Sequence, residues 1–361
     1  MKFFLILVAM SFILKSGSAQ SVPLFVGTYT HKGNSEGVYH YQFDVSSGKV
    51  KMQSFFKTDN PSFLARSAQY IYAVNEDESG KVSVLKFSNS QFDMLNQLST
   101  EGMHPCHVAI GIKEPVLVVS NYSSGSLVLY SLNADGSIHK KEDFIQFEGT
   151  GPDVSRQKGS HVHSAFFNIA GDRLYVSDLG SDRVVEYTIV TKGTDYAFQQ
   201  VGEIKLKGGS GPRHVAISAD ANTIYVLAEL TGEVAVYLNS NGQWEIHQTL
   251  PIYAKGFTGE QGGADVKISP DGKYLYATNR GEANVIVHYK ILKNGLLEQK
   301  NVYSVAGKSP RNFNFSPDGK FLLVTNQQSD EIVIFNRDSK TGTLTDSKKR
   351  IAVGQPVCVI F

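Results

Sequence analysis

The sequence predicts an all-β fold: a seven-bladed β-propeller with four-stranded blades, in which the C-terminal strand completes the N-terminal blade and closes the ring. Three observations predict it. The composition favours strands and tight turns, because 33 Gly, 21 Phe and 17 Tyr stand among 361 residues. A strand-like segment recurs seven times, and each end of the chain carries part of an incomplete repeat.

The repeated segment is an apolar run that ends in a polar residue, and successive copies begin 46 to 57 residues apart. An alternating strand, such as residues 284–289 or 331–335, follows after a turn. This period is typical of a propeller blade with four strands, which we name A to D from the channel outwards. The seven copies, each predicted to be a strand B, are residues 24–29, 71–76, 117–122, 174–179, 224–229, 275–280 and 322–327.

A shorter strand precedes the repeat and is predicted to be strand A, joined to B by hairpin turns such as Ser269-Pro-Asp-Gly272. The first copy has no such strand before it, whereas residues 354–361 look like a strand A with no B after them. Pairing the two would cover the sheet edges that an open ring exposes. The other predicted A strands are residues 106–110, 162–166, 213–217, 264–268 and 311–315.

Residues 1–19 are predicted to be a secretory signal peptide. Lys2 precedes an apolar run that is too short to span a membrane, and Gly17-Ser18-Ala19 forms a small-residue cleavage site. We therefore predict export to the periplasm or the extracellular space, with residues 20–361 as a single propeller domain. No later segment is long and apolar enough for membrane insertion, so none is expected after cleavage.

The charge balance gives no support to nucleic-acid binding. Without the leader, 33 basic residues stand against 34 acidic ones, so there is no basic excess to attract a polyanion. The two cysteines, Cys106 and Cys358, could pair in an exported protein, but two cysteines make no disulfide framework. The sequence contains no signal for an oligomeric state.

Polar side chains are expected to converge at one mouth of the channel. Strand A starts and strand B ends on the same face, opposite the Pro-Asp-Gly turns, where the inner strands form the narrowest part of the ring. An Asn or Asp near the end of strand B is interpreted as structural, bonding to the backbone of the following turn, at Asn75, Asn121, Asp178, Asn279 and Asn326. The candidates for a site are His107, His161, His163, Arg213, His214 and Arg311 on A strands, with Glu76, Glu229 and Arg280 on B strands.

These candidates also have structural interpretations. The three arginines come from successive blades and would repel one another unless an anion or carboxylates lie between them. They predict a pocket for an anionic ligand, or a structural cluster balanced by neighbouring acids. His107 and His214 hold equivalent positions, which suits buried structural histidines. His161 and His163 could form a metal pair, but no third ligand is apparent, so no metal is expected.

Several short motifs carry a family resemblance: His161-Val-His163, Gly211-Pro-Arg-His214, Ala228-Glu-Leu230, Thr278-Asn-Arg280 and Ser309-Pro-Arg-Asn-Phe313. Together they resemble the lactonase family of seven-bladed propellers, which includes propeller-type 6-phosphogluconolactonases and the fungal 3-carboxy-cis,cis-muconate lactonizing enzyme. The likeness extends over essentially all of the mature chain, although Asn312 departs from the family pattern. It implies a catalytic set of His163, Arg213, Glu229 and Arg280 and no cofactor. The other mouth residues, His161, Arg311, His107, His214 and Glu76, are then expected to contact substrate.

The expected reaction is hydrolysis of a sugar lactone, with an anionic sugar lactone or sugar acid as the partner. His163 or Glu229 would act as general base on a water, and Arg213, Arg280 or both would stabilise the oxyanion. Because phosphogluconolactone is a cytoplasmic metabolite, an exported relative is expected to act on another sugar lactone. Two alternatives use the same cluster: a muconate-type lactonizing isomerase, and a non-catalytic propeller that binds sugar acids or proteins.

Overall fold

Seven antiparallel sheets of four strands each surround a central channel in the computed structural model, which describes residues 21–31 and 33–361. This arrangement confirms the predicted seven-bladed all-β propeller. The only helical elements among the described residues are two single 3₁₀ turns, Leu179–Ser181 and Gln327–Ser329. The leader predicted over residues 1–19 lies outside the described residues.

The blades are numbered from the N-terminus, and strands follow chain order. Blade 1 holds β1 (Ser21–Thr28), β2 (Gly37–Asp44) and β3 (Val50–Lys57), with β28 (Pro356–Ile360) from the C-terminus. Blade 2 holds β4 (Phe63–Ser67), β5 (Tyr70–Asn75), β6 (Lys81–Ser88) and β7 (Gln91–Ser99). Blade 3 holds β8 (Pro105–Ile110), β9 (Val116–Asn121), β10 (Ser126–Leu132) and β11 (Ile138–Gln146). Blade 4 holds β12 (Val162–Phe167), β13 (Leu174–Asp178), β14 (Arg183–Lys192) and β15 (Asp195–Lys205).

The three remaining blades repeat the same order of strands. Blade 5 holds β16 (Pro212–Ile217), β17 (Thr223–Ala228), β18 (Glu233–Ser240) and β19 (Gln243–Pro251). Blade 6 holds β20 (Gly263–Ile268), β21 (Tyr274–Asn279), β22 (Val285–Ile291) and β23 (Leu297–Ser304). Blade 7 holds β24 (Pro310–Phe315), β25 (Phe321–Asn326), β26 (Glu331–Arg337) and β27 (Leu344–Ala352).

The C-terminal strand closes the ring as predicted. Strand β28 pairs antiparallel with β1, so that Val26 faces Val359 and Gly27 faces Cys358. Gly27 is needed at this join, because a Cβ there would collide with the carbonyl oxygen of Pro61. The inner strands contact one another in the order β28, β4, β8, β12, β16, β20 and β24, and β24 contacts β28 again.

The core consists of one hydrophobic cluster between each pair of adjacent blades. Strands B and C are apolar along most of their length because both faces of each blade are covered by a neighbour. Tyr225 and Leu275, for example, meet between blades 5 and 6, where both are fully buried. Burying a side chain of this size contributes about 1.5–3 kcal/mol, so seven such interfaces make a rigid support for the mouth of the channel.

The hairpin turns between strands A and B lie on the face opposite the predicted site. Gly272 has φ +70°, which favours glycine, and its amide donates to the Ser269 carbonyl at 2.8 Å. The Ser269 hydroxyl also donates to the Asp271 carboxylate at 2.6 Å. These tight turns therefore end the A strands on one face and leave their first residues at the other.

Candidate active site

A cavity of about 200 Å³ opens where the A strands begin and the B strands end. We call it the mouth pocket. Five of the residues predicted from the sequence line it: Glu76, His163, Glu229, Arg280 and Arg311. The others that line it are Tyr29, Cys106, Tyr122 and Arg156.

A β-bulge at the start of the A strands directs side chains into this pocket. In blades 3, 4, 5 and 7 the second residue of strand A is left out of the pairing with strand B. Bulges re-aim a side chain and bend the strand, and they are frequent beside active sites. The bulged residues are Cys106, His163, Arg213 and Arg311.

Glu229 is the centre of the charged cluster. Its side chain is 5% exposed, and its two carboxylate oxygens contact three guanidinium groups. Oε1 accepts from Arg156 Nη2 at 2.6 Å, whereas Oε2 lies 2.8 Å from Arg280 Nη2 and 3.1 Å from Arg213 Nε. Burial raises the pKa of Glu229, but Arg280, Arg213 and Arg156 outweigh burial and lower that pKa to about 2.

Arg213 lies behind Glu229 and does not line the pocket. It is 2% exposed, and its Nη1 donates to the carbonyl of Ala264 and lies 3.3 Å from His214 Nε2. Burial and the neighbouring Arg280 lower the pKa of Arg213 to about 9, which still leaves it charged at neutral pH. Arg213 is therefore placed to hold Glu229, whereas Arg280 and Arg156 reach the pocket surface.

A second charged group forms the opposite wall. The Tyr29 hydroxyl lies 2.9 Å from both carboxylate oxygens of Glu76 and accepts from Arg311 Nη2 at 2.6 Å. The Arg311 guanidinium also lies over the Tyr29 ring, 5.1 Å from its centroid. Burial raises the pKa of the Tyr29 hydroxyl, so it stays protonated and keeps donating to Glu76.

His163 faces the pocket as a neutral imidazole. It is 5% exposed, and its Nδ1 is buried with no hydrogen-bond partner among the described residues. Burial, and then the positive charge of Arg213, hold the pKa of His163 well below its usual range. The ring is therefore unprotonated at neutral pH and has nitrogen lone-pair capacity that no protein group uses.

The residue after each bulge points into the channel beneath the pocket. Two of these residues, His107 and His214, were predicted to contact substrate, but they do not reach the pocket surface. His214 is buried beneath the pocket, and its Nδ1 lies 2.9 Å from Asp265 Oδ1. Asp265 Oδ2 accepts from Asn312 Nδ2 at 2.7 Å, which accounts for the Asn that departs from the family pattern. Burial lowers the pKa of His214 to about 4. His107 packs against Phe63, with ring centroids 4.2 Å apart, and does not line the pocket.

His161 lies outside the pocket, beside Tyr122. Its ring stacks on Tyr122 with centroids 4.6 Å apart, and its Nδ1 is 3.0 Å from the Tyr122 carbonyl. Tyr122 in turn lines the pocket and meets the edge of His163, with ring centroids 5.5 Å apart. His161 therefore supports the pocket wall through Tyr122.

Arg156 and Cys106 are pocket residues that the sequence analysis did not select. Arg156 comes from the loop over residues 148–160, which Gln157 anchors through a 2.8 Å bond from its buried side chain to the Leu179 carbonyl. An Asp153 carboxylate that accepts from the Ser155 and Arg156 amides shapes the turn before it. Cys106 is buried and free, as is Cys358, so no disulfide joins them.

The Asn and Asp residues near the ends of the B strands are structural, as interpreted, but most bond to a different partner. Asn121 Nδ2 donates to the Thr100 carbonyl at 2.9 Å, and Asn326 Nδ2 donates to Val305 at 3.0 Å. These carbonyls belong to the connection from the preceding blade, not to the following turn. The exception is Asp178, which caps the turn after it by accepting from the Gly180 amide at 3.1 Å.

No group of three or more His, Cys, Asp or Glu side chains in residues 21–31 and 33–361 is arranged to hold a metal ion. The same residues contain no helix with the length and apolar character that a bilayer crossing requires. The side chains that line the mouth pocket supply a neutral imidazole, guanidinium groups, two carboxylates, two tyrosine hydroxyls and a thiol.

The profile of the family described as "Lactonase, 7-bladed beta-propeller" matches residues 23–361. The chain belongs to this lactonase family. One relative of this lactonase-family propeller is a 6-phosphogluconolactonase from Formosa agariphila, 34% identical over 80% of this chain and 85% of the relative. Another is the 6-phosphogluconolactonase of Bacillus subtilis, 29% identical over 93% and 97% of the two chains. The solved structure of the periplasmic gluconolactonase of Pseudomonas aeruginosa is 32% identical with a TM-score of 0.89, over 94% of this chain and 99% of that one.

Proposed function

We propose that this lactonase-family propeller hydrolyses a sugar lactone in the mouth pocket, using His163 as general base and Arg280 to stabilise the oxyanion. The observation that carries the proposal is the neutral His163 imidazole, which lines the same 200 Å³ cavity as Arg280, Arg156 and Arg311. The names of the relatives in Formosa, Bacillus and Pseudomonas support a sugar lactone as the substrate.

Of the two predicted bases, the geometry favours His163. Both carboxylate oxygens of Glu229 contact arginines, so neither is free to accept a proton from a water. His163 is neutral and lines the pocket, and its Nε2, the ring nitrogen other than the buried Nδ1, is proposed to take the proton of a pocket water. General base catalysis by a positioned histidine contributes about 10²–10⁴ in rate. Glu229 then serves to align the arginines.

The arginines suit the charge that develops on the lactone carbonyl oxygen. Arg280 is held by the 2.8 Å contact with Glu229 but keeps part of its guanidinium at the pocket surface, since its side chain is 20% exposed. A fixed cation there stabilises an oxyanion without reorganising during the reaction. Arg213, which the resemblance also placed in the catalytic set, is proposed to act through Glu229. Arg311 is proposed to bind substrate hydroxyls beside Tyr29.

A water oxygen bonds to the lactone carbonyl carbon while His163 takes one of its protons, and the carbonyl oxygen becomes an oxyanion next to Arg280. The carbon–oxygen bond to the ring oxygen then breaks as the oxyanion returns to a carbonyl. The ring oxygen leaves as an alcohol and takes the proton from His163, which returns to its neutral state. The product is the open-chain hydroxy acid.

We also propose that the mature protein starts at residue 20 and works outside the cytoplasm. The leader-like sequence of residues 1–19 supports this, and a relative of the same fold is named a periplasmic gluconolactonase. A non-phosphorylated sugar lactone is then the expected substrate.

The test is a pH-stat assay of the mature protein on a panel of aldono- and uronolactones, with and without a chelator. We expect His163→Ala to lower kcat by about 10²–10⁴ and Arg280→Ala by about 10²–10³. His139→Ala and Arg350→Ala, on outer strands and not among the residues that line the mouth pocket, are the matched controls and should keep full activity. Unchanged rates in the two pocket variants would reject the assignment, and loss of activity on chelation would show that a metal takes part.

A muconate added to the same assay separates hydrolysis from the isomerase alternative. Lactonization of a muconate without opening of any sugar lactone would favour the isomerase. Tight binding of sugar acids with no turnover of any lactone would favour the non-catalytic propeller.

A further inference from the structure

A second cavity adjoins the mouth pocket, and we call it the side cleft. It measures about 360 Å³ against about 200 Å³ for the mouth pocket. Three residues line both cavities: Arg156, Glu229 and Arg280. The two spaces therefore share a wall of one ion cluster, and a ligand attached to a lactone in the pocket can continue into the cleft.

The two cavities together have room for a ligand larger than one sugar ring. Small-molecule sites usually measure about 300–1,000 Å³, and the mouth pocket alone falls below this range. The mouth pocket together with the side cleft falls within it. The active site is thus built as two adjoining compartments, of which the proposed reaction uses one.

The chemistry of the side cleft suits hydroxyl groups. None of the described residues that line it has an aliphatic or aromatic side chain. Apart from the shared residues and glycines, its wall consists of Glu260, Gln261, Ser309, Gln327 and Gln328. The side chains of Glu260, Ser309 and Gln328 have no hydrogen-bond partner within residues 21–31 and 33–361. Amides, hydroxyls and carboxylates together both donate and accept, as the hydroxyl groups of a sugar do.

The charges of the side cleft oppose an anionic group such as a phosphate. Within the described part of the chain its cations are Arg156 and Arg280, and both contact the Glu229 carboxylate, at 2.6 and 2.8 Å. Glu260 adds a further negative charge to the wall, and the carboxylate of Glu282 lies beside it, accepting from the Glu260 amide at 3.0 Å. The two arginines are thus balanced by two carboxylates of the same wall, Glu229 and Glu260, so a phosphate in the side cleft would meet no net positive charge.

We propose that the active site takes the aldonolactone of a disaccharide, with the lactone ring in the mouth pocket and a neutral glycosyl residue in the side cleft. This inference rests on the proposed lactone hydrolysis and names its substrate class. The amide of Gln328 and the hydroxyl of Ser309 bind the glycosyl hydroxyls, and Arg156 lies at the junction of the two compartments.

The first test compares four substrates in the pH-stat assay: glucono-1,5-lactone, 6-phosphogluconolactone, and the 1,5-lactones of cellobionic and maltobionic acids. We expect kcat/KM for at least one disaccharide lactone to exceed that for glucono-1,5-lactone at least fivefold, and the phosphorylated lactone to give no gain. Disaccharide lactones that are both opened no faster than glucono-1,5-lactone would overturn the proposal.

The second test asks whether the gain comes from the side cleft. Gln328→Ala and Ser309→Ala should each lower the ratio of kcat/KM between the disaccharide and monosaccharide lactones at least threefold. Gln243→Ala, at an exposed position on an outer strand, is the matched control and should leave this ratio unchanged. A ratio that neither cleft variant changes would refute the assignment of the glycosyl site.

Calorimetric binding of the unreactive acids separates this inference from the proposed function. Cellobionate or maltobionate should bind the full protein at least fivefold more tightly than gluconate. If no lactone is hydrolysed, the proposed function fails, yet tighter binding of a disaccharide acid would still support the side cleft. Equal binding of all three acids would reject the cleft whether or not lactones are hydrolysed.

Discussion

Replacing Glu229 by Gln tests how strongly the central carboxylate holds the arginine cluster. The change keeps the size of the side chain and removes the charge that balances Arg156, Arg213 and Arg280. The three cations lower the pKa of Glu229 from 4.5 to about 2. At about 1.4 kcal/mol per pKa unit, this shift corresponds to roughly 3 kcal/mol of stability at neutral pH. Breaking a buried ion pair by removing one partner costs about 3–5 kcal/mol, which agrees.

The assay is urea denaturation of both proteins at several pH values. Because the folded-state pKa of Glu229 is depressed, its contribution is fully present above about pH 4.5 and declines as the pH falls towards 2. The free energy of unfolding of Glu229→Gln should therefore be about 3 kcal/mol lower at pH 7, and this difference should shrink below pH 4.5. Glu203→Gln is the control, since Glu203 pairs with Arg183 and Lys205 at 3.5 and 3.4 Å on the surface and should change stability by at most about 1 kcal/mol. A difference below 1 kcal/mol at pH 7 would refute the reasoning.

Three further outcomes follow from the buried groups and the leader. Because the pKa of His163 lies well below its usual range, kcat/KM should stay constant from pH 7.5 to 6, and a midpoint near 6.5 would contradict its assignment as a buried base. Burial lowers the pKa of His214 to about 4, so its contribution to stability is present above pH 6.5 and is lost as the pH falls. Urea denaturation at pH 5 should therefore show a loss of about 2 kcal/mol in the free energy of unfolding from this group. A free energy of unfolding that stays constant from pH 7 to 5 would count against a neutral, buried His214. N-terminal sequencing of the exported protein should find Gln20 first, whereas a retained Met1 would argue against the leader.

The sequence predicted the ring well because the repeat is seven times redundant. Each predicted strand B ends within one residue of the strand seen in the structure, as in 224–229 against β17 (Thr223–Ala228). Errors in one copy are corrected by the others, and the unpaired ends of the chain leave a single way to close the ring. The repeat also explains why five pocket residues were predicted correctly, because it places all A starts and B ends at one face. These residues are Glu76, His163, Glu229, Arg280 and Arg311.

The rest of the site depends on features that break the repeat. Arg156 belongs to the loop over 148–160, which has no counterpart in the other blades, so aligning the copies gives it no position. The sequence offered one signal for Arg156: the loop lies in the longest interval between successive B strands and contains a single arginine. The sequence analysis also missed the bulge in strand A. The bulged residues His163 and Arg311 line the pocket, whereas His107 and His214, which directly follow a bulged residue, lie beneath the pocket. Aligning Pro105, Pro212 and Pro310 would have shown that Cys106 shares the position of Arg213 and Arg311.

The charge balance of the mouth pocket favours hydrolysis over the formation of a lactone from a polyanion. Four arginines surround the pocket or lie directly behind it, and Glu76 and Glu229 cancel part of their charge. A neutral lactone entering this site develops one negative charge, first on the oxyanion and then on the product carboxylate, so fixed positive charge stabilises the transition state more than the bound substrate. A muconate would arrive with its negative charges already present. The same arginines would then stabilise its ground state as well, and such uniform binding does not raise kcat.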